Sequence, residues 1–387
     1  MIDGPARAAG EEREACDRCL RRLLLVGILA PYIEKIATGE PGRRSPQLLA
    51  LGDEALARAV GGQKCGRLLA DARGSDLDQL RAQIADAGCW SICRHRDAYP
   101  DGLLDAEDAP PALIGRGDPA GLAALRRGNA VTIVGARRAT SYGREVAGTL
   151  AADLAGAGFA VVSGLAWGID GAAHRGALET GFTAAVLGCG PDVAYPRSHR
   201  RLYEQVRERG LILSELPPGT SAWKWAFPAR NRIMAALGSI TIVIEAARHS
   251  GSLITASLAT ELGRDVGAVP GPVSARMSIG TNDLIADGAR LVRDAQDVLD
   301  AMIGPGAPRP VVGGPPIDLR TASVLDRVEQ GCADADSISL SLDLGPEEVT
   351  ACLTRLELLG YVRRSFAGGY TRSALARPDP APEEATI

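Results

Sequence analysis

The most chemically suggestive stretch of this chain is a run of aromatic and basic residues at 223–231, which reads WKWAFPARN and is followed by Arg232. Trp223, Trp225 and Phe227 stand at every second position, so an extended backbone would place all three rings on one side. Rings beside fixed cations suit single-stranded nucleic acid, because bases stack on the rings and phosphates pair with the cations. A loop whose aromatic side chains close the edge of a core has the same composition, and the residue types alone leave both interpretations open.

Two glycine-rich turns supply candidate phosphate-binding groups. Residues 135–143 (GARRATSYG) combine a turn before a predicted helix with Arg137 and Arg138, and residues 163–170 (SGLAWGID) follow the next apolar run. A glycine turn that enters a helix exposes backbone N–H groups, which suit a phosphate without implying a nucleotide cofactor. The first turn has neither the sequence of a P-loop nor that of a dinucleotide-binding fingerprint. A solvated arginine pair remains the alternative for the first turn.

An acid–base pair near the second turn raises the question of catalysis. Asp170 precedes His174 by four residues, but no nucleophile motif accompanies them, and Asp170 is predicted to cap the N-terminus of a helix. We therefore predict no catalytic residues and no enzymatic activity. The alternative is a nucleotide-processing hydrolase that uses Asp170, His174 or Glu245.

Cysteines near the N-terminus have spacings found in zinc sites. They form Cys16-x-x-Cys19 and Cys89-x-x-x-Cys93, with His95 close behind. Residues three or four apart on a predicted helix also share a face, so these cysteines suit a core equally well. The sequence favours core packing and predicts no metal ligand and no cofactor, with structural zinc as the alternative.

Composition divides the chain into five segments that must position these groups. We predict a helical region at 1–110, an α/β region at 111–303, a Pro/Gly linker at 304–316, a helix–turn–helix with a hairpin at 317–375, and a disordered acidic tail at 376–387. Within the second segment, short apolar runs alternate with helical stretches, as in a doubly wound parallel sheet. Ligands bind such sheets at the carboxyl ends of the strands, where the glycine-rich turns fall.

The fourth segment has the order of elements of a winged helix. Its second helix carries Glu347, Glu348 and Glu357 against the single Arg355. Helices that read duplex DNA are usually more basic, so the charge favours a protein-binding or dimerisation module over a sequence-specific regulator.

Overall composition limits the classes of function. The chain has 387 residues, of which 46% are hydrophobic and 23% charged, which suits two or three soluble domains. A net charge of −4 confines any nucleic-acid site to a local patch. The first residues do not read as a signal peptide, and no apolar run reaches the ~18 residues of a membrane span. We therefore expect a cytoplasmic protein with reduced cysteines and no membrane attachment.

Eight motifs in register resemble the DNA-processing protein A family, DprA. They are VGARRATSYG (134–143), SGLAWGIDGAAHRGAL (163–178), VLGCGPDVAYP (186–196), SELPPG (214–219), FPARNRIMAAL (227–237), EAARHSGSLITA (245–256), VPGPV (269–273) and GTNDLIADGA (280–289). The resemblance implies a Rossmann-like core between a small SAM-like helical domain and a winged-helix domain.

The resemblance also implies a function. It implies a homodimer that binds single-stranded DNA without sequence preference and delivers it to the recombinase RecA during natural transformation. By motif, Arg137 and Lys224 would be the phosphate-binding cations, and Phe227 the ring on which a base stacks. The full set of DNA-binding residues that the resemblance implies is Gly135, Arg137, Arg138, Ser163, Gly164, Lys224, Phe227, Arg230, Asn231 and Arg232.

Overall fold

The computed structural model describes residues 14–39, 48–306, 312–332, 334–364, 369–372 and 375–376. The chain forms two compact units, Met1–Ala307 and Pro308–Ile387. Their boundary falls within the segment that composition marks as a linker. Most of the tail for which disorder is expected, residues 377–387, lies outside the described residues.

The first unit opens with helices and continues with two antiparallel strands. The helices are α1 (Asp17–Gly39), α2 (Asp53–Gly61), α3 (Cys65–Gly74) and α4 (Leu77–Asp86). Strand β1 (Trp90–Cys93) pairs with β2 (Ala112–Gly117), and β2 pairs with residues Leu211–Ser214 of the main sheet. The helical region is therefore shorter than the sequence predicts, because residues 90–93 belong to the sheet.

A large, mostly parallel sheet forms the centre of this unit. Its remaining strands are β3 (Ala130–Val134), β4 (Ala160–Ser163), β5 (Thr183–Val186), β6 (Leu211–Ser214), β7 (Ile240–Val243), β8 (Asp265–Ala268) and β9 (Arg290–Leu291). The spatial order is β1-β2-β6-β5-β4-β3-β7-β8-β9, and neighbours from β6 to β9 run parallel. The predicted α/β class with a parallel sheet is confirmed.

Helices cover both faces of this sheet. They are α5 (Ser141–Gly156), α6 (Ile169–Thr180), α7 (Arg200–Arg209), α8 (Ala226–Leu237), α9 (Gly251–Glu261), α10 (Ile279–Ala286) and α11 (Ala295–Met302). Alternate residues of β3 belong to different cores: Val131 and Ile133 pack with α5, α6 and α11, whereas Val134 packs with α8. Burial on both faces explains why the central strands are uniformly apolar.

The N-terminal helices pack against the residues that precede α8. Trp225 is 2% exposed and joins a core cluster with Leu29 and Ile33 of α1. Its indole N–H donates to the carbonyl of Ala30 at 3.1 Å, and Trp223 packs against the same cluster. Of the two interpretations left open, the extended segment with three rings on one side is wrong, because Trp225 has helical dihedral angles and is buried. The alternative, aromatic side chains that close the edge of a core, describes Trp223 and Trp225.

The second unit has its own small core. Helices α12 (Leu319–Glu329), α13 (Ala335–Leu342) and α14 (Pro346–Leu358) precede an antiparallel pair, β11 (Val362–Arg364) and β12 (Tyr370–Arg372). Strands β10 (Val312–Gly313) and β13 (Leu375–Ala376) pair in parallel. Apolar side chains from the helices and from Tyr361 form the core. Among the described residues of both units, no helix is long and apolar enough to cross a membrane.

A matched pair of glycines tests the close contact between α5 and α6. A Cβ on Gly176 would lie 2.0 Å from the carbonyl oxygen of Gly148, whereas a Cβ on Gly148 would have its nearest neighbour at 3.8 Å. We expect Gly176→Ala to lower the free energy of unfolding by about 1–3 kcal/mol, because the two helices must move apart. Gly148→Ala should instead be neutral or stabilise by up to about 1 kcal/mol. Urea denaturation followed by circular dichroism measures both, and equal effects would contradict the contact.

Candidate nucleic-acid interface

The candidate site lies where the strand order reverses. From β3 the chain proceeds through β4, β5 and β6 toward one edge of the sheet and then returns to β7, which pairs with β3 on its other side. The loops after β3 and β7 therefore diverge and leave a crevice at the carboxyl ends of these strands. Open α/β sheets bind their ligands at such a crevice.

A cavity of about 580 Å³ occupies this crevice. Its walls come from the loop after β3, the first turns of α8 and α9, the loop after β7, and the turn before α10. Among the described residues, its charged side chains are five arginines against one carboxylate, so the cavity is strongly cationic. These side chains are Arg137, Arg138, Arg230, Arg248, Arg276 and Asp170.

One cation and two rings meet at the mouth of the cavity. The guanidinium carbon of Arg137 lies 5.2 Å from the centroid of the Phe227 ring. The Tyr195 ring also lies beside Phe227, with 5.4 Å between centroids and 37° between planes. Arg137 and Tyr195 are exposed and Phe227 is half-buried. A phosphate and an adjacent base can therefore reach a cation and an aromatic surface together.

Hydrogen bonds to Glu245, which follows β7, hold the loop that carries Arg137 in place. One carboxylate oxygen accepts the backbone N–H of Thr140 at 2.9 Å, and the other accepts its hydroxyl at 2.5 Å. The Thr140 hydroxyl oxygen in turn accepts the N–H of Gly143 and caps α5. A Cβ on Gly135 would lie 2.5 Å from the Ile169 side chain, so this loop can follow its path only with glycine at that position.

Arg230 forms the floor of the cavity and is almost wholly buried, at 4% exposure. Its guanidinium donates to the carbonyl of Val186 at 3.2 Å and lies 3.8 Å from the carboxylate of Asp170. A Cβ on Gly164 would lie 1.3 Å from this guanidinium, so glycine is required for space. Burial lowers the pKa of Arg230 and raises the pKa of Asp170, and each charge opposes the shift of the other.

Asp170 does not cap a helix, which corrects the sequence-based interpretation. Helix α6 begins at Ile169 with Gly168 at the N-cap, where φ is +77°. The Asp170 carboxylate accepts the backbone N–H groups of Gly164 at 3.2 Å and Ala166 at 3.4 Å. It therefore holds the turn after β4 and serves as the counter-ion of Arg230.

Several predicted DNA-binding groups are directed into the protein. The Ser163 hydroxyl is buried and donates to the carbonyl of Ile133 at 2.6 Å, and the N–H of Gly164 is used by Asp170. Arg232 is 3% exposed, forms an ion pair with Glu215 and lies 3.5 Å from Asp108. These groups already have partners inside the protein, and of these four residues Arg230 is the one that lines the cavity. Their assignment to DNA binding stays a prediction.

The other predicted residues have mixed positions. Arg138 is exposed on the cavity wall, and Asn231 is half-buried there, with its amide donating to the carbonyl of Gly251 at 3.4 Å. Lys224 is exposed in the turn before α8, outside the described lining of the cavity.

Sequence reasoning missed four residues of the site. They are Tyr195, Arg248, His249 and Arg276. Arg248 and His249, which follow β7 in the sequence, could have suggested a basic site. They belong to the cavity only because β7 pairs with β3, and the order of elements along the chain does not reveal this pairing.

His174 is a buried structural residue. Its Nε2 accepts the N–H of Leu165 at 3.3 Å, which leaves Nδ1–H to donate to the Thr183 hydroxyl at 2.7 Å. That hydroxyl donates in turn to the carbonyl of Val161. Burial, with a smaller contribution from Arg230, lowers the pKa of His174 to about 3, so the imidazole is neutral and enclosed. The acid–base role considered with Asp170 is therefore not supported.

Comparison with known proteins gives the family. Residues 90–303, more than half of the 387-residue chain, match the family described as DNA recombination-mediator protein A. The chain belongs to the DNA recombination-mediator protein A family. The resemblance found from the eight motifs is confirmed.

Relatives and solved structures support the same DprA assignment. A relative from Mycobacterium tuberculosis (strain ATCC 25618 / H37Rv) is 42% identical over 241 residues, which are 60% of this chain and 61% of the relative. The chain thus spans less than two thirds of that relative's length. DNA processing protein A from Streptococcus pneumoniae superimposes with a TM-score of 0.58 at 34% identity, over 73% of this chain and 95% of that chain.

A second solved structure is DNA processing protein A from Helicobacter pylori, for which a single-stranded DNA binding mode is described. It superimposes with a TM-score of 0.50 at 30% identity, over 56% of this chain and 95% of that chain.

The buried state of His174 predicts a specific pH dependence of stability. Its pKa is lower in the folded chain than the value near 6.5 expected when unfolded, so between pH 6.5 and about 3 the unfolded state binds more protons. Stability from this group is complete above pH 6.5 and is lost as the pH falls. The stability difference between wild type and His174→Gln should shrink by about 2 kcal/mol from pH 7.5 to 5.0.

Urea denaturation at the two pH values measures this change. A constant difference between wild type and His174→Gln would show that His174 does not have a lowered pKa.

Proposed function

We propose that this protein binds single-stranded DNA without sequence preference and acts as a recombination mediator. The single observation that carries the proposal is the contact between the Arg137 guanidinium and the Phe227 ring at the mouth of a cationic cavity. Such a pair provides one phosphate site beside one stacking surface, which is the repeating unit of a single strand. The described single-strand binding of the Helicobacter pylori relative supports it.

The proposed contacts follow from exposure. Arg137 and Arg138 bind phosphates from the loop after β3, and the N-terminus of α9 adds positive potential at the opposite wall, where Ser250 caps the helix. A base stacks on Phe227, with Tyr195 as the neighbouring ring. Each stacked base contributes about 1–3 kcal/mol. The cationic groups are concentrated here, which reconciles DNA binding with a net charge of −4.

The remaining residues of the predicted set take supporting roles in this proposal. Gly164 gives Arg230 its space, and Gly135 lets the Arg137 loop pass close to α6. Arg232 holds α8 through its ion pair with Glu215. Lys224 binds a phosphate outside the cavity, from its exposed position three residues before Phe227.

The same contacts favour a binding protein over a hydrolase. The carboxylate of Glu245 is used by Thr140, Asp170 is used by backbone N–H groups and Arg230, and His174 is enclosed and neutral. A general acid or base must reach the substrate, directly or through water. Glu245, Asp170 and His174 are all occupied by contacts within the protein, so we assign them structural roles.

The finer parts of the role rest on the family resemblance. We propose that a homodimer in the cytoplasm loads RecA onto the bound strand during natural transformation. We assign the second unit as a winged helix, since three helices precede the antiparallel pair β11 and β12. Arg355 pairs with Asp318 at 2.6 Å, and Glu348 with Arg320 at 2.8 Å, so the acidic helix α14 offers few free cations to a duplex. A protein partner suits this helix better.

Two substitutions distinguish the contribution of the Arg137 cation to DNA affinity from that of the Phe227 ring. Arg137→Ala should weaken binding of oligothymidine and reduce the dependence of log K on log salt by about 0.7, because one phosphate contact is lost. Phe227→Leu should weaken binding by about 5- to 100-fold, from the loss of stacking, with the salt dependence unchanged. Fluorescence anisotropy at several salt concentrations measures both quantities.

Arg67→Ala is the control, since it removes an equal charge from α3, where the Arg67 side chain is 86% exposed. Its affinity and salt dependence should stay close to wild type apart from the small effect of net charge. Wild-type affinity in both Arg137→Ala and Phe227→Leu would refute this position of the site.

The recombination role makes a separate prediction. The wild-type chain should accelerate RecA-driven strand exchange on a single strand that is already coated with single-strand-binding protein. Arg137→Ala should lose this acceleration in proportion to its loss of DNA affinity, and Arg67→Ala should retain it. If the wild-type chain binds the strand without accelerating exchange, the mediator role is wrong while DNA binding stands.

A further inference from the structure

Three cysteines and one histidine converge at the junction of α1 and β1. Cys16 and Cys19 lie at the start of α1, Cys93 ends β1, and His95 follows in the next turn. Their three Sγ atoms and one imidazole nitrogen all lie within 4.8 Å of one another. Cys89 is not one of the four converging residues, and its thiol contacts the carbonyl of Ala87 at 3.5 Å. The zinc alternative raised by the spacing therefore involves a different set of ligands.

The distances fit a metal tetrahedron. The Nδ1 atom of His95 lies 3.4 Å from the Sγ of Cys16, 3.4 Å from that of Cys19 and 3.9 Å from that of Cys93. With Zn–S bonds of about 2.3 Å and Zn–N bonds of about 2.05 Å, a tetrahedral site requires N···S edges of about 3.6 Å. The three observed edges bracket this value.

Hydrogen bonding does not account for the cluster. One imidazole nitrogen has either one proton or one lone pair, so it can satisfy one of the three sulfurs that surround it. All eight cysteines of the chain are free thiols, so no disulfide explains the proximity. A single divalent cation between the four atoms would satisfy all of them at once.

The surroundings suit thiolate ligands. The backbone N–H of Cys16 points at the Sγ of Cys93, 3.5 Å away. The positive end of the 23-residue helix α1 lies at Cys16 and Cys19. Cys19 and Cys93 are 2% and 0% exposed, so thiolates here require a bound cation. His95 is exposed, which gives a metal a path of entry.

We propose that Cys16, Cys19, Cys93 and His95 bind one Zn²⁺ as a structural site. Four protein ligands leave no open position for a water or a substrate, which is typical of structural zinc. Three thiolates and an imidazole select zinc over the oxygen-preferring cations. The ion links residues that are up to 79 apart in the chain and fixes the start of α1 to the edge of the sheet. This revises the sequence-based preference for simple core packing and is independent of the DNA-binding proposal.

The metal content of the purified full-length chain tests the site directly. After expression with added zinc and removal of loosely bound ions, elemental analysis should give about one Zn²⁺ per chain. His95→Ala and Cys16→Ser should each lose most of it, and Cys89→Ser, which alters a neighbouring cysteine outside the cluster, should retain it. His95 is exposed, so its replacement removes a ligand without disturbing the core.

Cobalt substitution checks the ligands in the wild-type chain, without any mutation. The Co²⁺-loaded chain should show thiolate-to-metal charge-transfer bands together with the intense visible bands of a tetrahedral site. Removal of metal should also lower the melting temperature. Substoichiometric zinc in the wild-type chain, equal zinc in His95→Ala and wild type, or a Co²⁺ spectrum without charge-transfer bands would each overturn the proposal.

Discussion

A buried guanidinium organises the candidate DNA-binding edge of this sheet. Arg230 lies beneath the loops that form the cavity, and a charge in that position is costly unless it is paired. Asp170 provides the counter-charge, the Val186 carbonyl accepts a hydrogen bond, and Gly164 leaves the necessary space. Loss of one partner from such a pair typically costs 3–5 kcal/mol. The turn after β4, the start of α6 and the first turn of α8 are therefore fixed relative to one another.

Other buried carboxylates hold the elements around this centre. Glu245 fixes the loop that carries Arg137, and Glu215 pairs with Arg232 on the far side of α8. Each carboxylate neutralises a backbone or side-chain donor that would otherwise be unsatisfied. The exposed Arg137 and the half-buried Phe227 can then stay in place before a ligand arrives. Preorganisation of this kind reduces the entropy that binding must lose.

Sequence patterns predicted the class of fold, and they pointed to Arg137 and Phe227, which the structure places together at the candidate site. They did not predict how the site is built. Uniform apolar runs identify buried parallel strands, and glycine-rich turns identify their carboxyl ends, so Arg137 could be found. The pairing of β7 with β3 cannot be read from chain order, and so Arg248 and His249 were missed. Burial of Arg230 depends on a cleft made by Gly164, which lies 66 residues earlier in the chain. Convergence of Cys16 with His95 depends equally on tertiary structure.

The aromatic and basic stretch at 223–232 shows that the assumed secondary structure decides which side chains are grouped together. Alternation at every second position groups Trp223, Trp225 and Phe227 together. Helix α8 instead begins at Ala226, and residues three or four apart then share a face. That face contains Phe227, Arg230, Asn231 and Met234, and all four line the cavity. The same short stretch thus has two structural roles. The residues before the helix pack α8 against α1, and one face of the helix forms part of the cavity wall. The rings are separated because Trp225 packs in a core with the N-terminal helices, and this leaves Phe227 as the ring beside Arg137.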